Sequence, residues 1–166
     1  MPTSKDDNTQ SQSQTTEQVG GKMPLGWREW VALPDFDVGR IKAKVDTGAR
    51  TSCLHTFRTE PYTRDGQRRV HFWVHPVQND LHQAVECDAA ILDERSVSDS
   101  GGHKELRLVI ETRLIIGDQE WPIEMTLTNR DSMRFRMLLG RTAMAGRAFV
   151  VPECSYLAGE PALRKK

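Results

Sequence analysis

An all-β domain with one short helix is the fold class this sequence predicts, and three observations carry that prediction. Short apolar segments recur along the chain between Gly, Pro and Asp turn signals. In the clearest of them, residues 38–46, Ile41, Ala43 and Val45 alternate with Arg40, Lys42 and Lys44, the period of a strand with one buried face. Only residues 141–146 look helical. Many short strands at this spacing predict a closed or sandwich-like β domain.

Residues 1–22 are dominated by Ser, Thr, Gln, Asp and Gly, with Met1 and Val19 as apolar interruptions. Such a segment cannot bury enough surface to offset its ordering entropy, so it is expected to be a disordered polar tail. The domain is expected over 23–158. Its strands are predicted at 26–33, up to the Pro34-Asp35 turn, then 38–46, 51–56 and 69–77, the last following an Asp65-Gly66 turn. Further strands are expected at 84–92, 106–116 after Gly101-Gly102, 120–128 after Gly117-Asp118, and 136–139. Residues 159–166 again read as a tail. No internal repeat is present.

Lysine plus arginine equals aspartate plus glutamate at 23 each, so net charge argues for no nucleic-acid or other polyanionic partner. Cys53, Cys87 and Cys154 are too few and too scattered for a disulfide framework, which points to a reducing compartment. There is no apolar leader, and no run approaches the ~18 apolar residues of a membrane span. A cytoplasmic location without membrane association is expected.

The strand at 38–46 delivers an acid, a hydroxyl and a glycine in succession, Asp46, Thr47 and Gly48, followed by Ala49. About ninety residues later the chain reads Met137-Leu138-Leu139-Gly140-Arg141 before the helical stretch. The first segment resembles the catalytic loop of aspartic proteases. The second resembles the hydrophobic-hydrophobic-Gly-Arg segment of retropepsins, the single-domain aspartic proteases of retroviruses. With Arg50-Thr51-Ser52 and Thr126-Leu127-Thr128-Asn129-Arg130 added, the pattern is similar to a bacterial retropepsin-like family labelled ATP-dependent zinc protease. The resemblance covers roughly residues 24–158.

It implies a retropepsin-like closed barrel and an aspartic-type endopeptidase. That chemistry needs two carboxylates sharing a proton, one to activate water and one to protonate the carbonyl. This chain offers one, since Asp118 lies in an ordinary Gly117-Asp118 turn. A homodimer with two copies of Asp46 on its axis is therefore expected. Thr47 would bond across that axis, and Gly48 would let the loops pack. Ala49, Arg50, Gly140 and Arg141 are expected beside the substrate. So are Ser100, Gly101 and Gly102 of a flap hairpin at 95–103, with the Asp65-Gly66 hairpin the alternative flap.

Where viral enzymes carry an acid that pairs with the late arginine, this chain has Arg50. Arg141 must find another partner, a carbonyl or Glu124. Arg50 either makes a rewired structural contact or adds positive charge that favours acidic substrates. The resemblance also suggests glutamate-rich protein tails as substrate in a ribosomal-protein modification system. Neither adjective of the family label finds support in the residues. His71 and His75, four apart on a strand, are more than ~10 Å from one another, and His55, His82 and His103 are isolated. No zinc-ligand spacing and no phosphate-binding glycine loop occurs, so no metal and no cofactor is expected. Cys53 reads as a small buried residue. Two other functions are retained: a non-catalytic peptide-binding or dimerisation module, and a zinc-dependent protease as labelled.

Overall fold

A computed structural model describes residues 20–78, 80–98, 101–129 and 134–163. The strands in chain order are β1 (Met23–Leu25), β2 (Arg28–Leu33), β3 (Val38–Val45), β4 (Ser52–His55), β5 (Arg58–Arg64) and β6 (Gln67–Val74). They continue as β7 (Val85–Ala90), β8 (Asp93–Ser98), β9 (Lys104–Ile116), β10 (Gln119–Thr128), β11 (Met137–Leu139) and β12 (Ala148–Val150). One α-helix, α1 (Arg141–Met144), and a 3-10 turn at Pro34–Phe36 complete the described elements. Over the described residues the protein is a mostly-β chain with one short helix, as the sequence predicted.

Six strands close a ring in the order β10, β4, β11, β3, β2, β9, because β9 also pairs with β10. Strand β9 is 13 residues long and serves two neighbours on its length. Its later half pairs antiparallel with β10 from Val109 to Ile116, and its earlier half pairs with β8 from Lys104 to Val109. The period-two reading of β3 holds: Val38, Ile41, Ala43 and Val45 are buried while Arg40 and Lys44 are exposed. Their partners inside the ring include Leu33, Leu54, Ile110, Leu114, Met125, Met137 and Leu139, each fully enclosed. Each such side chain contributes about 1.5–3 kcal/mol by leaving water.

A separate three-stranded sheet, β5-β6-β7, lies against this barrel through Val70, Phe72, Val74, Cys87 and Ala89. Phe72 meets Phe36 of the 3-10 turn edge-on, with ring centres 5.1 Å apart. The Asp65-Gly66 turn closes the β5–β6 hairpin, both residues having positive φ, 53° and 78°, the geometry of a tight hairpin turn.

Some boundaries differ from expectation. The strand expected at 26–33 begins at Arg28, because Gly26 passes within van der Waals range of Cys154. A Cβ on Gly26 would lie 2.2 Å from that residue's carbonyl oxygen. The helix is shorter than 141–146, ending at Met144 before Gly146 turns with φ 78°. Strands β1 and β12 were not anticipated, and β5 and β8 were expected only as arms of the two candidate hairpins rather than as strands of their own. Residues 1–19 of the expected tail lie outside the described residues. Residues 159–162 of the expected C-terminal tail instead stay against the barrel, the Ala162 N–H donating to the Gly117 carbonyl at 2.7 Å, while residues 164–166 lie outside the described residues. Glu160 pairs with Arg40 at 3.2 Å. The buried Glu29 carboxylate anchors the same region by accepting the backbone N–H groups of Gly26, Leu157 and Ala158.

Candidate functional site

The loop that follows β3 is fixed from beneath by β11 and α1. Strand β11 inserts between β3 and β4, pairing parallel with the first and antiparallel with the second. Its Leu139 carbonyl accepts the Asp46 N–H at 2.9 Å. Asp46 Oδ1 then accepts the Gly48 N–H at 3.0 Å, a side-chain turn that aspartate forms with the residue two further on. A Cβ on Gly48 would lie 3.2 Å from that same oxygen, so glycine keeps the turn tight. Asp46 is half-buried, and Thr47 and Gly48 are exposed.

Gly140 admits no side chain, since a Cβ there would stand 2.6 Å from the Thr51 carbonyl carbon. Its N–H donates to Ser52 Oγ at 3.0 Å. The next two backbone N–H groups, of Arg141 and Thr142, donate to the carbonyls of Ala49 and Arg50 at 2.8 and 3.0 Å. The Arg141 side chain completes the clamp by donating to the carbonyls of Thr47 at 3.0 Å and Gly48 at 3.2 Å. Of the two partners expected for Arg141, the carbonyls are the ones used. Glu124 instead holds Arg95, accepting from Nη1 at 2.8 Å.

This loop forms one side of a cleft of about 740 Å³. Strand β8 contributes residues 95–98, and the floor is made by Cys53, Arg107, Thr126 and Leu138. Residues 95–98 of the first candidate hairpin thus stand beside the loop, while the Asp65-Gly66 hairpin belongs to the separate sheet. Arg95 is committed to Glu124 and Asp93. Its bond to Glu124, then that to Asp93, raises its pKa above the ordinary value. Arg107 is different, for its side chain is only 9% exposed. Its Nε donates to Glu105 at 3.0 Å, and its Nη1 approaches Cys53 Sγ at 3.5 Å.

Of the residues singled out from sequence, Asp46, Gly48, Ala49 and Arg50 line this cleft. Thr47 sits beside them at the surface, and Gly140 and Arg141 act from below as supports. Gly101 and Gly102 are at the exposed turn before β9, and Ser100 lies outside the described residues, as does Arg130. Among the described residues no group of three or more His, Cys, Asp or Glu side chains is placed to hold a metal. His71 instead contacts Glu86 and Asp88 on the outer face of the β6–β7 pair, at 3.4 and 3.2 Å. Burial, then the neighbouring Glu86 and Asp37 charges, push the Cys87 thiol up to about 12, so it is no nucleophile at neutral pH.

Sequence reasoning missed Arg107 and Thr126 as cleft residues and included Arg95 only as part of the candidate flap hairpin. The available signal was Arg107 itself: on β9 it precedes the buried Val109 on one face, a charge at an inward register position. No helix of the described residues is long and apolar enough to cross a membrane.

A family model described as "RimB-like: Retropepsin-like aspartic endopeptidase RimB" matches residues 24–161. The chain belongs to the RimB-like family. A protein of Legionella pneumophila of unknown function, solved by crystallography, shares the fold of this RimB-like chain. Its TM-score is 0.70 at 23% identity, covering 82% of this chain and 98% of the other. The RimB-like chain is also 47% identical over 139 residues to a protein of Parasynechococcus marenigrum (strain WH8102) named "Probable alpha-L-glutamate ligase". A Shewanella pealeana protein of the same name is 43% identical over 139 residues. Each match takes in 84% of this chain and 30% of the relative, so the RimB-like chain spans less than a third of these relatives.

These names correct the expected activity. Peptide-bond hydrolysis by a homodimeric aspartic endopeptidase was implied by the resemblance, and with it the hydrolase and protease classes. The relatives of this RimB-like chain instead carry the name of an enzyme that forms bonds to glutamate. The word endopeptidase in the family description here supports the fold. The zinc-protease alternative is overturned by the same names.

Proposed function

We propose that this chain is a peptide-holding module of glutamate-ligase chemistry, binding a glutamate-bearing peptide in the cleft beside Asp46 while bond formation occurs elsewhere. The observation that carries this reading is the 47% identity to part of a protein named for glutamate ligation. Joining glutamate to a peptide generates an acidic product, and a domain that handles it must offset carboxylate charge. The cleft supports that task with Arg50 and Arg107. Asp46 has a carboxylate oxygen, Oδ2, with no hydrogen-bond partner among the described residues, and it suits a peptide N–H or ammonium group. Ala49 and Thr47 contribute the walls and rim around it.

The reading is a cytoplasmic one. It includes a symmetric pair of chains meeting at the exposed Thr47 and Gly48, with the glycines 101 and 102 over the peptide and no nucleic acid or membrane involved. The test is titration of fluorescein-labelled peptides ending in several glutamates, or in alanines, into the purified protein. Mass spectrometry of the recovered peptide and light scattering of the protein accompany it. The expected result is saturable, salt-sensitive binding of the glutamate peptide by a particle of twice the chain mass, with the peptide recovered at its original mass. Equal or absent binding of both peptides overturns the proposal.

A further inference from the structure

Among the described residues four arginines surround the loop and cleft; two are spent on protein groups and a third is exposed at the surface. Arg141 holds the carbonyls of Thr47 and Gly48. Arg95 is forked onto Glu124 and also bonded to Asp93. Arg50 is exposed at the mouth, where water screens its charge. Arg107 alone carries its charge into the floor of the cleft with nine-tenths of the side chain buried.

A buried guanidinium is ordinarily matched by carboxylates that fill its fork of five N–H donors. Here one edge meets a single carboxylate, Glu105, which is itself 40% exposed and also accepts the Thr128 hydroxyl at 3.1 Å. The other edge meets the Cys53 sulfur at 3.5 Å, a weak acceptor for so strong a donor. The charge is therefore held in place but incompletely answered, in a cavity large enough for several side chains.

We infer that Arg107 is the specificity-determining residue of this cleft, receiving the side-chain carboxylate of a bound glutamate on the edge that otherwise meets the Cys53 sulfur, with Glu105 as its positioning partner and resident competitor. The inference rests on the peptide-holding reading and adds to it the residue that reads the charge. A carboxylate reaching the floor of the cleft meets a desolvated, fixed fork, whereas an amide of the same shape presents an N–H₂ group to donors and loses that bond.

The experiment measures dissociation constants for two labelled peptides of equal length, one carrying three glutamates and one three glutamines, against wild type, Arg107→Lys and Glu105→Gln. Circular dichroism checks that each variant is folded. Wild type should prefer the glutamate peptide by about tenfold or more, the scale of one well-aligned charged hydrogen-bond pair. Arg107→Lys keeps the charge but loses the fork, and the preference should fall to about threefold or less. Glu105→Gln removes the competitor, and the glutamate peptide should bind about threefold tighter while the glutamine peptide is unchanged. An Arg107→Lys variant with the wild-type preference, or a Glu105→Gln variant that weakens both peptides equally, overturns the assignment while leaving peptide binding intact. Wild type that binds neither peptide overturns the peptide-holding reading together with this one.

Discussion

Replacing Glu29 should unlock the C-terminal segment and cost the domain much of its stability. The Glu29 carboxylate is fully buried and accepts three backbone N–H groups, from Gly26 at 2.6 Å and from Leu157 and Ala158 at 3.0 Å each. A donor deprived of its partner costs about 1–3 kcal/mol when it stays buried. The Leu157 and Ala158 bonds are only partly buried, so those two N–H groups can reach water, and the Gly26 bond is enclosed. Glu29→Ala should therefore cost roughly 3–5 kcal/mol, near the low end of the summed range. Against a typical domain stability of about 5–15 kcal/mol this is a large fraction. Glu29→Gln keeps one acceptor oxygen but turns an N–H₂ group toward the remaining donor, for a loss of about 1–3 kcal/mol. Urea unfolding followed by tryptophan fluorescence measures both. With a slope near ~2 kcal/mol per molar, the alanine variant should lose about 1.5–2.5 M in midpoint. Limited proteolysis of the same variant should remove residues after Val150 first. A Glu29→Ala midpoint unchanged from wild type would refute the reasoning.

Arg141→Ala removes the donor to the Thr47 and Gly48 carbonyls, and because this side chain is exposed the fold should survive. Glutamate-peptide binding should weaken several-fold at unchanged urea midpoint, as titration of the variant would measure. Asp35 sets an acid limit. Burial raises its pKa, but the side-chain and backbone hydrogen bonds from Arg113 outweigh it and leave the carboxyl below its ordinary value. A carboxyl depressed in the folded state stabilises fully above its unfolded pKa and loses that contribution as pH falls through the folded one. Urea midpoints should therefore fall below about pH 4, less steeply in Asp35→Asn. Equal slopes in the two proteins would count against this role.

The alternation in β3 and the run entering Gly140 were readable because each buries one face in the ring, and burial is what period-two patterning records. The helix was readable in place but not in length, since Gly146 and not the apolar pattern sets its end. Strand β5, Arg58–Arg64, was illegible: it is exposed along nearly its whole length and contains Pro61. As an edge strand it loses nothing from a missing N–H on its open side. Strand β8 was hidden similarly, its Asp93-Glu94-Arg95-Ser96 reading as a polar loop, though its backbone pairs with β9 throughout. The acid-hydroxyl-glycine loop and its support by Gly140 were legible from a motif pair alone. The Arg107 floor showed locally only as a charge at an inward register position of β9; its meeting with Cys53 of β4 depends on residues 54 apart in sequence, which no local pattern encodes.

The first strand and the last described residues converge on one small feature, the turn between β9 and β10. A Cβ on Gly117 would lie 3.7 Å from the Met23 side chain, and the Gly117 carbonyl receives the Ala162 N–H. A barrel whose two ends sit side by side behaves like a plug with both leads at one socket. It can be spliced into a longer polypeptide at a single point, with neither end threaded across the cleft. Lengthening or shortening the flanking chain would then change how far the module reaches without altering what the cleft holds.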